Sequence, residues 1–331
     1  MKKVLLFFTS LFIGIGLLVW IFNFLGWKEI KSAFLIFSGW HGIVILLLSV
    51  LMLLIGMWKW KIILKSQGYD LSSKKLISPY FAGFFLTYLF PIIFFGGELF
   101  RGYVLRDRFS IPWKNAISSV IIERILEITA FLITVFLGVI FFLIKIGLPP
   151  VNLCIIFAVT LFISTVLIGF FYFKVLRKES LAGFFVKFFN GKKEPLEVEK
   201  EIFRFFKFNK KVLWQGIGLA FLRVFVTGVR CWVLLLFLGK TVAFFSIFSI
   251  LGFYYFSLMI PIPAALGSHD IIQIFAFNSL GIGASLAPAF TMIQRGAELF
   301  LALVGGVLFL RLGASLIHAV LFKKIGGLMD K

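Results

Sequence analysis

The chain alternates long apolar runs with short basic connections along its 331 residues. The runs are roughly 16 to 28 residues long, close to the ~20 residues that a helix needs to cross a hydrocarbon core of about 30 Å. They lack the short alternating strands of a porin-like barrel. With 61% hydrophobic residues, the chain must use lipid as the solvent for most of its surface. We therefore predict an all-α polytopic membrane protein.

Two of the apolar stretches are broken by proline and glycine. The breaks contain Pro91, Gly96 and Gly97 in the first half, and Pro261, Pro263 and Gly267 in the second half. Irregular backbone at membrane depth is tolerated only where protein buries it or water reaches it. Corresponding breaks in two halves are the sequence sign of an internally repeated transporter with its site at the repeat interface.

The distribution of cations gives the expected topology. Lys2 and Lys3 precede the first run, Val4–Leu25, which lacks a small-x-small cleavage motif and is interpreted as a retained membrane helix with a cytoplasmic start. If Leu76–Phe90 spanned the membrane alone, Arg101 and the cations after it would lie outside, against the positive-inside rule. A re-entrant hairpin that turns at residues 91–97 keeps them in the cytoplasm.

The same reasoning gives the second half the opposite orientation. The first unit, about residues 43–144, runs as an inward span, an inside hairpin and an outward span. The second unit, about residues 212–310, runs as an outward span, an outside hairpin and an inward span. We predict two inverted-topology repeats within one domain, 1–331, in the plasma membrane with both termini cytoplasmic. Residues 174–211, where phenylalanines alternate with cations, are expected to form an amphipathic cytoplasmic segment in the interface.

The formal net charge of +20 does not indicate a nucleic-acid partner. The basic residues lie between apolar runs, where they set topology and contact anionic lipid headgroups. Residues 58–65 are predicted to form an aromatic and basic belt at the cytoplasmic interface. Cys154 and Cys231 each lie inside an apolar run, and we expect no disulfide.

Charged side chains follow each break and form the candidate substrate-binding set. They are Glu98, Arg101, Glu123, Arg124 and Glu127 after the first break, and His269, Asp270, Arg295 and Glu298 after the second. A charge at the bilayer centre costs about 2.5 to 3.5 kcal/mol, so such groups are normally paired or hydrated. One interpretation makes them intrahelical salt bridges, because Glu98 and Arg101, like Arg124 and Glu127, stand three residues apart. The other makes them the lining of a polar cavity, where arginine would bind a phosphate headgroup.

Other polar residues leave alternatives open. Asp270 is expected to cap a half-helix or receive a cation, and His269 to titrate near neutral pH if water reaches it. Arg223 and Arg230 share a helix face and either snorkel or face the cavity. His269 lacks nearby ligands for a metal site. Nucleotide, hydrolase and metal motifs are missing from the sequence, so we expect no cofactor.

The residues around the breaks resemble a known family. The stretch Pro91–Arg101 with Glu123 and Arg124, and the stretch Pro261–Asp270 with residues 295–298, are similar to signature stretches of the lysylphosphatidylglycerol synthase transmembrane family. The resemblance implies a flippase-like membrane domain. Family members fused to a soluble aminoacyl-transferase domain make lysyl-phosphatidylglycerol, so for this chain the resemblance implies the translocating half without the enzyme half. The second break reads GSHD where the family tends to have glycines and then glutamate, so headgroup preference is not carried over.

The leading hypothesis is a lipid flippase that moves a phospholipid, aminoacylated or not, or another lipid-linked headgroup between leaflets. The first alternative is a membrane enzyme or accessory subunit of polyprenyl-phosphate or glycolipid synthesis. A second alternative is a membrane partner for a separate soluble synthase. The lipid, the direction, the energy source and the oligomeric state stay open, with a homodimer among the alternatives.

Overall fold

The computed structural model describes residues 39–89, 97–148, 151–177, 194–260 and 267–329. Four parts of the sequence predictions lie outside these ranges: the first span Val4–Leu25, the break residues Pro91 and Gly96, the break residues Pro261 and Pro263, and residues 178–193 of the amphipathic segment.

Ten α-helices, and no strand, make up the regular structure of the described ranges. They are α1 (Gly39–Ser66), α2 (Ser73–Leu89), α3 (Gly97–Phe109), α4 (Trp113–Ile146), α5 (Val151–Arg177), α6 (Glu194–Phe208), α7 (Lys210–Phe237), α8 (Phe244–Leu258), α9 (Ser268–Ser279) and α10 (Leu286–Met329). Four of these helices are long and apolar enough to cross a membrane: α1, α4, α7 and the part of α10 from Leu286 to Gly313. The all-helical, multi-pass membrane architecture predicted from the apolar runs is confirmed.

Proline and glycine stand at the two ends of α4, the longest described helix in the first half of the chain. Pro112 stands directly before it, where its fixed φ and missing N–H suit a helix start. Gly147 ends it with a φ of +89°, a conformation that glycine adopts without steric cost.

Helices α1 and α7 are antiparallel partners. Arg230 of α7 donates a hydrogen bond to Ser49 of α1 (3.0 Å), and Thr227 of α7 donates one to the Met52 sulfur of α1 (3.7 Å). The later of the two α1 residues, Met52, thus contacts the earlier of the two α7 residues, Thr227. The end of α1 therefore lies on the same side of the molecule as the start of α7.

Each half of the chain packs its second helix against the last helix of the other half. Helix α8 crosses α4 where Gly252 meets Gly138, and a Cβ on Gly252 would lie 2.9 Å from the Gly138 Cα. Helix α2 crosses α10, where a Cβ on Gly305 would lie 2.2 Å from the Phe81 carbonyl oxygen. Small residues let the backbones approach closely, as is usual between membrane helices.

Helices α2 and α3 form an antiparallel hairpin. At its tip, Gly97 lies so close to Gly83 that a Cβ there would be 1.8 Å from the Gly83 carbonyl oxygen. At its open end, Lys75 of α2 and Arg108 of α3 line one cavity. Helices α8 and α9 also pack together, and Gln273 of α9 donates to the Ile250 carbonyl of α8 (3.3 Å).

The predicted interfacial belt is wrong for two of its residues. Trp58 is 54% exposed, but the neighbouring Lys59 and Trp60 are completely buried. The reason is that α1 continues to Ser66, so one of its faces turns into the helix bundle along the whole basic stretch.

Helix α6 belongs to the predicted amphipathic segment, and its apolar face is covered by protein. Val198, Ile202 and Phe205 are buried against the first turns of α4 and against α7. An ion pair between Lys114 and Glu197 (3.9 Å) adds to this contact. The described part of the segment therefore packs on the bundle through the face that was expected to meet lipid.

Candidate functional site

The charged residues after the first break pair between helices. Arg124 of α4 donates through Nε to Glu98 Oε1 of α3, at 2.5 Å. Arg101 of α3 donates through Nη1 to Glu123 Oε2 of α4, at 3.1 Å. The interpretation as intrahelical pairs, Glu98 with Arg101 and Arg124 with Glu127, is therefore wrong. The short helix α3 packs directly on α4, so Glu98 and Arg101 both have their partners on the neighbouring helix.

Two further cations complete this first cluster. The Lys59 ammonium of α1 lies 3.1 Å from Glu123 Oε1 and 2.5 Å from Glu127 Oε2. Arg223 of α7 donates to the other oxygen of Glu127. Sequence reasoning missed Lys59 because it stands among other lysines and tryptophans, a pattern that is typical of a membrane interface. Arg223, whose position was left open, faces the bundle.

Aromatic rings hold Arg101 in place. Its guanidinium carbon lies 4.2 Å from the centre of the Trp60 ring and 4.7 Å from that of Tyr80. The Trp60 indole N–H in turn donates to the Ser119 hydroxyl at 3.1 Å. Stacking on aromatic faces stabilises a desolvated guanidinium and fixes its orientation.

Asp270 is the acidic centre of a second cluster. Its Oδ2 accepts from the backbone N–H of Gly267 (3.1 Å) and from Arg295 Nη2 (2.5 Å), and its Oδ1 accepts from the Thr291 hydroxyl. Asp270 therefore both caps α9 and receives a cation, the two roles expected from the sequence. Gly267 has a φ of +73°, which explains a glycine at this start.

Glu298 is bound by α7 and α8. Its Oε1 accepts from Arg230 Nη2 (2.9 Å) and from the Tyr254 hydroxyl (3.0 Å). Arg230 also donates to Tyr254 (3.1 Å). The Arg230 side chain is fully buried, so it faces the interior and does not snorkel. His269 lies beside this group, with its ring centre 5.0 Å from that of Tyr254.

The two clusters repeat the same arrangement. In each, an acidic residue at the start of a short helix pairs with an arginine of the following helix: Glu98 with Arg124, and Asp270 with Arg295. In each, a glutamate three residues after that arginine receives a cation from the first helix of the same half: Glu127 from Lys59, and Glu298 from Arg230. Lys59 and Arg230 occupy the same position counted from the first residue of α1 and α7, two helices of 28 residues.

The clusters differ in one pair. Arg101 stands three residues after Glu98, and the corresponding residue after Asp270 is the neutral Gln273. Glu123 stands one residue before Arg124, and the corresponding residue before Arg295 is the neutral Gln294. Gln294 donates to the Cys231 sulfur (3.2 Å) instead of meeting a charge. The first cluster therefore contains an ion pair, Arg101 with Glu123, that the second cluster lacks.

The end of α2 joins the two clusters. Arg124 Nη2 donates to the Thr87 hydroxyl, and the adjacent Tyr88 hydroxyl donates to the Arg295 carbonyl oxygen, both at 3.5 Å. Arg223 and Arg230 are two turns apart on α7, or about 10 Å along its axis. The nine residues selected from the sequence thus gather in one polar region of the bundle.

Access to this region differs among its members. The Arg124 and Glu298 side chains are 24% and 22% exposed, whereas Glu123 and Glu127 are 1% exposed. Within the described residues, Arg101 Nε and Nη2 and Arg295 Nε have no hydrogen-bond partner. Buried donors of this kind are costly unless something binds them. The region therefore offers an accessible arginine and several spare donors for an anion.

Among the described residues, no group of three or more histidine, cysteine or acidic side chains could hold a metal ion.

Comparison with known proteins matches the chain to a family model described as the lysylphosphatidylglycerol synthase TM region, over residues 7–306. Similar curated proteins are named UPF0104 membrane proteins. One from Methanocaldococcus jannaschii is 25% identical and covers 83% of this chain and 85% of its own. Others come from Methanothermobacter thermautotrophicus (23% identical, 86% of this chain, 88% of its own) and Pyrococcus horikoshii (25%, 80% and 86%). No solved structure matches.

Proposed function

This chain belongs to the lysylphosphatidylglycerol synthase transmembrane family, and from that premise we propose that it moves a phosphate-bearing lipid headgroup between the two leaflets. The polar region around Arg124 holds the headgroup during the crossing, while the acyl or polyprenyl chains stay in the bilayer. Paired charges replace the water around the headgroup and lower the barrier that the hydrocarbon core sets against charge.

The observation that carries this proposal is an excess of positive charge in the first cluster. It contains four cations, Lys59, Arg101, Arg124 and Arg223, and three carboxylates, Glu98, Glu123 and Glu127. The second cluster is balanced, with two arginines and two acids. Since a buried charge without a counterion is expensive, one bound phosphate monoanion would complete the balance.

Arg124 is the group that meets the phosphate. It is the most exposed cation of the first cluster, and among the described residues its Nη2 bonds only to the Thr87 hydroxyl, at 3.5 Å. A planar guanidinium binds two phosphate oxygens at once. A phosphate that arrives at Arg124 competes with Glu98, so headgroup binding loosens the contact between α3 and α4.

Two inverted-topology repeats give this site its alternating access. Three features support them: the matching positions of Lys59 and Arg230, the antiparallel packing of α1 and α7, and the exchange in which each half packs its second helix on the last helix of the other. In this proposal the α2–α3 and α8–α9 pairs are re-entrant hairpins that enter from opposite faces. Inverted repeats around a midplane site are suited to opening it to one face at a time.

Translocation is tested in proteoliposomes that contain headgroup-labelled lipids of several classes, with a membrane-impermeant quencher added outside. The wild-type protein is expected to make the inner-leaflet label accessible faster than empty liposomes do. Arg124→Ala is expected to lower the rate of translocation at least ten-fold. Arg124→Lys is expected to restore only part of this rate, because lysine keeps the charge but cannot bind phosphate in a bidentate manner.

The matched control is Arg204→Ala, which removes an arginine that is 72% exposed on α6, away from both clusters. Its rate is expected to equal that of the wild type. Size-exclusion profiles and thermal unfolding show whether each variant is folded. Wild-type rates in folded Arg124→Ala would overturn the site. A wild type no faster than empty liposomes, for every lipid class, would overturn translocation and favour the glycolipid-synthesis alternative.

A further inference from the structure

A second place where the fold gathers cations lies at the open end of the α2–α3 hairpin. A cavity of about 410 Å³ is formed there by the start of α2, the end of α3 and one residue of α10. It is lined by Lys74, Lys75, Ser78, Pro79, Val104, Arg108, Phe109 and Leu312.

The lining divides into a charged rim and an apolar wall. Lys74, Lys75 and Arg108 are exposed at the rim, and none of the described residues that line the cavity is acidic. Pro79 and Val104 are buried behind them, whereas the Phe109 ring is partly exposed beside the cations. Lysine and arginine bind phosphate, and the exposed part of the Phe109 ring offers an apolar contact to the glycerol or first methylene groups of a lipid. The combination matches a molecule that is anionic at one end and apolar at the other.

The cavity and the charged interior are connected by α3. Glu98 stands at the first turn of this helix and Arg108 at its last, roughly 15 Å apart at 1.5 Å per residue. The hairpin thus carries a cationic cavity at its open end and the partner of Arg124 at its tip.

We propose that this cavity is a loading site, at the open end of the α2–α3 hairpin, that binds the phosphate of a membrane phospholipid. The inference rests on the proposed function, since it states where the headgroup waits before it reaches Arg124. It also adds a binding site, distinct from both buried clusters, whose occupant is recognised jointly by its phosphate and its chain.

Calorimetric titration of the purified protein in an uncharged maltoside detergent tests the cavity. The probes are a short-chain phosphatidylglycerol, glycerol phosphate and inorganic phosphate. The short-chain lipid is expected to bind at least ten-fold more tightly than either soluble phosphate. Lys74→Ala/Lys75→Ala is expected to weaken lipid binding at least five-fold. Equal affinity for the lipid and glycerol phosphate would overturn the assignment to a lipid.

The matched control is Lys210→Ala/Lys211→Ala. These two adjacent lysines are also exposed at the start of a helix, and they do not line the cavity. Because α1 and α7 are antiparallel, they lie on the same side of the molecule as the end of α1 and the start of α2. This control is expected to change lipid affinity less than two-fold. An equal loss in both double variants would mean that general surface charge attracts the lipid, and would overturn a built site.

A third variant separates cavity shape from charge. Ser78→Trp adds a large ring to the half-buried cavity wall without changing any charge, and it is expected to weaken lipid binding at least five-fold. Unchanged binding by folded Ser78→Trp would overturn the cavity as the binding place.

The loading site and translocation fail in different ways. If Arg124→Ala stops transport and Lys74→Ala/Lys75→Ala transports at the wild-type rate, translocation stands and the loading site is wrong. If the lysine pair weakens lipid binding but the wild type transports nothing, the cavity stands as a lipid site and the proposed function is wrong.

Discussion

At the residue scale, the first cluster contains a lysine that is almost completely buried. Lys59 lies between Glu123 and Glu127, and all three side chains are about 1% exposed. Burying an ion pair costs desolvation energy that good geometry only just repays, but removing one partner leaves a bare buried charge. Among the described residues, without Lys59, Glu123 keeps only Arg101 as its partner and Glu127 keeps only Arg223, so each buried carboxylate loses one of its two cations.

Lys59→Met is expected to destabilise the protein by about 3 kcal/mol, the usual cost of breaking a buried ion pair. Unfolding by sodium dodecyl sulfate in mixed micelles measures this. The double variant Lys59→Met/Glu127→Gln is expected to lose more stability than the single variant, because it also leaves the buried Arg223 guanidinium without its carboxylate partner. Lys65→Met, in the exposed pair with Asp70, serves as the control and should unfold like the wild type. If Lys59→Met unfolds like this control, the buried cluster does not contribute to stability.

At the scale of elements, backbone contacts set the spacing of the helices. Gly83 and Gly97 let α2 and α3 touch, and Gly138 and Gly252 do the same for α4 and α8. The contact of α2 with α3 holds Glu98 where Arg124 reaches it. Glycine in these positions thus serves close approach, while Gly267 serves a left-handed turn.

Gly97→Ala is expected to destabilise the protein by about 2 to 3 kcal/mol, as overpacking does in a close-packed interior. The added methyl group would meet the Gly83 carbonyl oxygen, which is backbone and cannot swing aside. Thermal unfolding in detergent gives the comparison with Gly218→Ala on α7, whose methyl group would meet nothing within 4 Å. Gly218→Ala is expected to be neutral or to stabilise by up to about 1 kcal/mol through helix propensity. Equal stability of the two variants would contradict the close contact.

At the scale of the whole molecule, the cations separate onto two ends. The connection from α1 to α2, the end of α3 and the start of α7 bring many lysines and arginines to one end, because α1 and α7 are antiparallel. Lys145 and Lys240 lie at the opposite end, where Lys145 donates to the Ser246 hydroxyl (2.6 Å). From the positive-inside rule we propose that the end richer in lysine and arginine faces the cytoplasm.

Maleimide labelling of single cysteines checks this orientation. In a background of Cys154→Ser and Cys231→Ala, Lys240→Cys is expected to react with a membrane-impermeant maleimide in intact cells. Lys75→Cys is expected to react only after permeabilisation or in inside-out vesicles. Labelling of both from the same side would exclude the proposed topology, since the antiparallel helices α1 and α7 place these residues at opposite ends.

Much of the candidate site was predictable, but not its pairing. Glu98, Arg124, Asp270 and Arg295 were recognisable because charges directly after a proline and glycine break in an apolar chain are rare and expensive. Their partners were not, because three-residue spacing suggested neighbours within one helix. Lys59 gave no signal, since its sequence surroundings resemble an interface.

The sequence by itself determined that this is an all-helical membrane protein, and it selected nine of the polar residues that gather in the bundle. Each depends on composition or on order along the chain, and lipid leaves the backbone few alternatives to a helix. Only the tertiary structure decided which charges meet, which cations are buried, and that the two clusters adjoin at the end of α2. Those depend on which faces of α1, α3, α4 and α7 pack together, and packing joins residues that are far apart in sequence.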